Sequence, residues 1–219
     1  GHKENDTTRF PVSSTVLKYP HVAMTGQPGT SQNVSDLQHA QRGYEVTASS
    51  MYVDNASNPY QPWRVFDGDT ASSWFSRGLS SLYGGTDNAY GSVANANLGT
   101  DSGGSATHRG EWLKLKLPRK LVLNRIVMYT SGSEAPEDFT LYGSNDGSSW
   151  TEILAETGLA ATSNGATYTP SSTPSAYKYF GLVITRTVSR NNYAGIRELE
   201  LYGTEPEDVV AHVGEGLDG

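Results

Sequence analysis

The segment Trp112-Leu-Lys-Leu-Lys-Leu117 puts three leucines on one side of an extended chain and two lysines on the other. Strict period two over six residues describes a strand with one face buried and excludes a helical face. The same texture recurs in short runs at Tyr44 to Ala48, Glu111 to Leu117, Asn124 to Tyr129, Phe139 to Tyr142, Trp150 to Leu154, Tyr177 to Thr185 and Ile196 to Tyr202. Each run is bounded by Gly, Pro, Asn or Ser, and no stretch of about ten residues keeps a helical period. The pattern predicts an all-β fold of two packed sheets. Trp112 shares parity with Lys114 and Lys116, which leaves open the side on which its ring lies.

Around these runs the chain divides into three parts. Residues 1–43 read as an irregular N-terminal arm, broken by Pro11, Pro20, Gly26, Pro28 and Gly29, in which only Val16 to Tyr19 could pair as a strand. Residues 44–203 form the domain. Residues 204–219 hold Glu205, Glu207, Asp208, Glu215 and Asp218 against no Lys or Arg, the pattern of a linker or interaction tail. Asn145-Asp146-Gly147 supplies the positive φ of a tight turn between two strands. Ser76 to Gly110 reads as one long loop rich in Gly, Ser, Asn and Thr, of the functional or mobile kind. Leu-Tyr-Gly recurs at 82–84, 141–143 and 201–203 in unlike surroundings, so it marks strand ends and not a repeat.

Composition narrows the function. The chain has 219 residues, 16 Lys+Arg against 23 Asp+Glu, and a formal net charge of −7. Without a basic cluster it lacks the electrostatic footprint for nucleic acid and is repelled by anionic membrane. With no cysteine there is no disulfide framework, thiolate metal site or Cys nucleophile. No apolar run nears the roughly 18 residues that span a bilayer, and the first residues lack the order of a signal peptide, which predicts a soluble chain. Gly1-His2 resembles a cloning scar. The five histidines are scattered, and there is no G-x-S-x-G, H-E-x-x-H or P-loop lysine. Gly214 to Gly219 matches G-x-G-x-x-G, with no following helix to hold a pyrophosphate. Asn5, Asn33 and Asn55 open N-x-S/T sequons. An enzyme is not indicated.

The informative stretch is Trp63-Arg-Val-Phe-Asp67-Gly-Asp69-Thr-Ala-Ser72-Ser-Trp74. It reads either as a plain Asp-Gly turn with solvated acids or as a tight loop turning its oxygens inward on a hard cation such as Ca²⁺. Glu198, at the head of the strand through Leu199 and Leu201, could supply a closing carboxylate.

Trp63 to Trp74, Gly110 to Pro118, Leu141 to Trp150, Tyr179 to Ile184 and Ile196 to Gly203, in that order, resemble the signature strands of the discoidin, or coagulation factor 5/8 type C, domains. Tyr19 to Gly26 resembles a lead-in to such domains. The resemblance implies a two-sheet jelly-roll β-sandwich of the galactose-binding-domain-like class. It also implies a structural calcium ion held by the carbonyls of Arg64 and Arg197 with Asp67, Asp69, Ser72 and Glu198; Ser72 stands where Thr is common. The absence of a closing disulfide favours the carbohydrate-binding branch over the lipid-binding one. In that branch the ligand lies on loops at one end, which implicates Arg77, Tyr83, Asn88, Tyr90, His108, Arg109, Arg190, Asn191, Asn192 and Tyr193, with Tyr83 or Tyr90 stacking on a sugar.

The expectation is a non-catalytic, lectin-like module for adhesion or targeting at an extracellular or particle surface, recognising a glycan through several displayed copies. The alternatives are a protein–protein interaction module and a lipid-binding discoidin module, for which only Leu79 and Leu82 suggest apolar spikes.

Overall fold

The computed structural model describes residues 15–26, 37–53, 60–77, 82–84, 88–91, 96–101, 103–104, 106–130, 132–189 and 192–206. The strands are β1 (Leu17–Tyr19), β2 (Gln38–Gln41), β3 (Tyr44–Ala48), β4 (Trp74–Phe75), β5 (Asn97–Asp101), β6 (Thr107–Arg109), β7 (Glu111–Tyr129), β8 (Pro136–Ser144), β9 (Ser149–Glu156), β10 (Ala166–Tyr168), β11 (Tyr177–Thr187), β12 (Gly195–Ile196) and β13 (Glu198–Thr204). A short 3-10 turn occupies Pro62–Phe66. Among the described residues there is no α-helix, and no helix is long and apolar enough to cross a membrane.

One sheet runs β2-β3-β7-β11-β8-β9 and continues into β5 and β6; the other comprises β1, β13, β7 and β10. The 19-residue β7 belongs to both. Its first half pairs with β3 and β11, its second with β13 and β10. The crossing falls at Pro118-Arg119-Lys120, three exposed residues between buried Leu117 and Leu121. The sequence reads as two strands there because Pro118 has no N–H for a ladder and the exposed trio interrupts the alternation. At the same corner a Cβ on Gly203 would lie 2.3 Å from the Val122 carbonyl oxygen. Only glycine lets β13 come so close.

Leu113, Leu115 and Leu117 of β7 face inward with Phe139, Leu141, Phe180, Leu182 and Ile184, and meet Ile126, Met128, Leu199 and Leu201 of the opposite sheet in one core. The alternating runs predict two packed sheets, and the sandwich is the jelly roll that the resemblance implies. Trp112, Lys114 and Lys116 take the outer face.

Two segments carry more structure than their sequence suggests. β1 pairs with β13, as Val16 to Tyr19 allows, but β2 also joins a sheet, through a hairpin whose central residues Arg42 and Gly43 have φ of 53° and 83°. That is the turn with positive φ at both central positions, matched to strand twist. Gln-His-Ala-Gln has no apolar alternation to announce a strand. The long loop likewise contains β5 and β6, and Leu98 of β5 packs over Gly181, where a Cβ would lie 2.4 Å from a Leu98 methyl. Leu98, Trp150 and Val183 thus form a second small core on the outer face, bordered by Trp112, Tyr142 and Tyr179.

Candidate functional site

The end of β3, the start of β7 and the end of β11 lie side by side, since Ala48 is opposite Leu113 and Ile184 opposite Glu111. The far end of β7 returns to the same side, where Tyr129 is opposite Glu198. Several of the candidate residues gather at this end.

Glu111 anchors it. Its side chain is fully buried and accepts hydrogen bonds from the hydroxyls of Ser49 and Ser50 on the same oxygen. Ser50 also accepts the Arg77 N–H at 2.9 Å, and its carbonyl accepts the Trp74 indole N–H at 3.0 Å. One buried carboxylate therefore ties the exit of β3 to the segment after β4. Nothing in its neighbours' types marks Glu111 as more than one alternating position.

The Asp-Gly-Asp loop closes on Ser72. The Ser72 hydroxyl lies 2.8 Å from Asp67 Oδ2, 3.2 Å from the Asp69 carbonyl and 3.3 Å from the Arg64 carbonyl. Asp69 is exposed and its carboxylate accepts the Ala71 N–H at 2.8 Å, so Asp69 offers Ser72 its main-chain oxygen. Glu198 is buried and takes the Gly68 N–H at 3.2 Å on each carboxylate oxygen. Burial first, and the charge of Asp67 second, push the Glu198 carboxyl up to about 8. Asp67 is also raised, chiefly by burial. Arg197 donates its main-chain N–H to the Tyr129 carbonyl at 2.9 Å. Among the described residues no three His, Asp or Glu side chains converge as a metal cluster. The loop's donor set is instead two acids, Asp67 and Glu198, with neutral carbonyl and hydroxyl oxygens, all hard ligands of the kind calcium takes.

Three rim candidates come together. Tyr90 and Arg109 line a cavity of about 390 Å³ with Ala89, Gly91 and Thr185. Burial raises the Tyr90 phenol, against the Ala96 N–H that it accepts and the nearby charges of Arg77 and Arg109. Tyr193 belongs to a four-ring cluster that the sequence did not reveal. Its ring lies 5.3 Å from Tyr52 and 5.2 Å from Phe75, and Tyr60 lies 4.4 Å from Phe75 and 5.8 Å from Tyr52, all within 30° of parallel. All four are half-buried, and none belongs to either hydrophobic core. Phe75 can lie so low because residue 195 is glycine, whose Cβ would meet the ring at 2.2 Å.

Other candidates are placed elsewhere. Tyr83 is a correction: it is fully buried, with its hydroxyl on the Ile184 carbonyl at 3.1 Å, and has no face to offer a ligand. Leu82 is equally buried and cannot serve as an apolar spike, while Leu79 lies outside the described residues. His108 packs on Tyr142 at 4.0 Å on the outer sheet face, and burial lowers its imidazole pKa. Asn88 is half-buried with φ 63°, and Asn192 is exposed. Arg190, Asn191, the sequons at Asn5, Asn33 and Asn55, and the tail from 207 lie outside the described residues.

Among solved structures, the chain resembles chitosan-binding module 1 from a chitosanase/glucanase of Paenibacillus sp. IK-5, with 19% identity over 74% of this chain and 96% of that one and a TM-score of 0.51. It resembles CBM32-3 of a family 31 glycoside hydrolase from Clostridium perfringens, with 18% identity over 78% and 97% and a TM-score of 0.51. It also resembles a family 89 glycoside hydrolase from Clostridium perfringens, with 17% identity and a TM-score of 0.51, over 75% of this chain but only 14% of the hydrolase. At these identities the likeness establishes the fold. No curated protein matches the sequence. The F5/8 type C domain model matches residues 45–199, spanning the signature strands from β3 into β13. The chain belongs to the F5/8 type C domain family.

Proposed function

We propose that this domain is a non-catalytic glycan-recognition module whose contact surface is the loop end around Tyr193. The observation that carries the reading is the wall of Tyr52, Tyr60, Phe75 and Tyr193, four half-buried aromatics that serve neither core. A pyranose presents a weakly apolar C–H face and a rim of hydroxyls. It suits flat rings next to fixed donors, and Arg77, Tyr90 and Arg109 stand at the same end. The carbohydrate-binding modules among the structural neighbours support a glycan as the partner.

The module carries a structural Ca²⁺ held by Asp67, Ser72, Glu198 and the carbonyls of Arg64 and Asp69, with Arg197 beside them. Bound there, the ion supplies positive charge between two acids whose pKa values burial raises, Glu198 being raised further by the charge of Asp67. The role is adhesion or targeting at an extracellular or particle surface, with several copies acting together, because shallow sites of this kind hold a sugar at roughly 0.1–1 mM.

A glycan array probed with multimerised protein, with and without chelator, tests the reading. Retention of a defined glycan set that Tyr193→Ala abolishes supports it. Retention of no glycan overturns it in favour of a protein-interaction module.

A further inference from the structure

The outer face of the larger sheet bears a basic and aromatic stripe that starts beside the loop end at Trp112 and runs down β7. Trp112, Lys114 and Lys116 project from alternate positions of β7, and Tyr179 of β11 is the cross-strand neighbour of Lys116. Each ammonium caps a ring: Lys114 Nζ lies 5.5 Å from the Trp112 centroid and Lys116 Nζ 5.8 Å from that of Tyr179. One acid serves the pair, since Glu45 of β3 approaches Lys116 at 3.6 Å. Lys114 has no carboxylate within 4.0 Å among the described residues, although it is half-buried and burial lowers its pKa. On the far side of Lys114 the partner residue is Gly181, over which Leu98 of β5 packs, so the stripe runs beside a raised wall.

A chain of net charge −7 thus keeps two adjacent ammonium groups on one flat face with a single nearby acid between them. Glu45 offsets the two ammonium groups only in part, since burial still lowers the Lys114 pKa, and a bound anion restores the balance. The rings define what else the ligand must bring, a weakly apolar surface that sits beside indole and phenol. A sugar ring bearing a carboxylate or sulfate has both parts.

We infer that the Trp112–Lys114–Lys116–Tyr179 stripe is a second binding site, for an anionic polysaccharide laid along the sheet face. Lys114 and Lys116 take the acid groups, and Trp112 and Tyr179, which also border the Leu98–Trp150–Val183 cluster, flank the sugar rings. The strand ladder positions this site on the sheet face, and it uses no residue of the aromatic wall.

Retention in native affinity gels containing polygalacturonate, dextran sulfate or neutral dextran tests the assignment. The wild-type domain is expected to be slowed by at least one charged polymer and not by dextran, with the effect weakening as salt rises. Which charged polymer slows it separates carboxylate from sulfate recognition. Lys114→Gln and Lys116→Gln keep the aliphatic stems over the rings, and together they should weaken retention at least tenfold with an unchanged melting temperature. Tyr193→Ala should leave this retention intact, which separates its outcome from that of the loop-end reading. Equal mobility in all three gels, or retention that ignores the double substitution, overturns the site.

Discussion

Glu198 is buried beside a second acid, Asp67, and its carboxyl responds to both. Its carboxyl titrates near 4.5 when unfolded and is pushed up to about 8 when folded. In metal-free protein its contribution is fully present below the unfolded value and is lost as pH rises through about 8. Melting temperature in chelator should therefore fall between pH 5 and pH 9, and Glu198→Gln should flatten that slope. Stabilisation by added calcium should grow over the same range, because the ion favours the charged form. Equal slopes for wild type and Glu198→Gln would remove Glu198 from the account. Glu111 makes a different demand, since it takes two hydroxyl hydrogen bonds in a site closed to solvent. Glu111→Ala should cost about 2–4 kcal/mol by stranding Ser49 and Ser50, measured by urea denaturation, while Glu111→Gln should cost less. The Asp-Gly-Asp loop was legible as a tight turn because Asp67, Gly68, Asp69 and Ser72 lie within a few consecutive residues. Glu111 and the four-ring wall were not, because Tyr52, Tyr60, Phe75 and Tyr193 are far apart in sequence and meet only after the sheets form.

Strands with one buried face announced themselves, and those with another job did not. β3, β8, β9 and β11 sit where the alternating runs lie, within a few residues. β2 and β6 are polar and short, edge segments held by a neighbour's ladder and silent in any hydrophobic pattern. The corner of β7 misleads in the opposite way, presenting a boundary where the chain continues. Its tolerance for change is small. Gly203→Ala would drive a methyl group into the Val122 carbonyl and the Leu121 side chain, and should destabilise the domain by roughly 1–3 kcal/mol. Thermal melts of that variant test whether the close approach of β13 to the corner is as tight as described. Loss of less than about 0.5 kcal/mol would show the corner to be slack.

At the scale of the molecule, the family match at 45–199 leaves out β1, yet β1 is paired along its whole length with β13 and seats buried Tyr19, whose hydroxyl reaches Glu205 at 3.3 Å. Removing residues 1–21 should therefore lower the melting temperature by several degrees, whereas removing 207–219 should change it little. A shortened protein starting at Tyr44 that melts like the parent would show β1 and β2 to be dispensable. The antiparallel pairing of β1 with β13 has one further consequence. Leu17 lies opposite Gly203, so the polypeptide enters and leaves the sandwich side by side, at the corner end and away from the loops. A domain with adjacent stems can be spliced into a host chain as a side branch without lengthening its axis. Linkers, tags or a surface coupling attached at either stem leave the opposite pole facing outward.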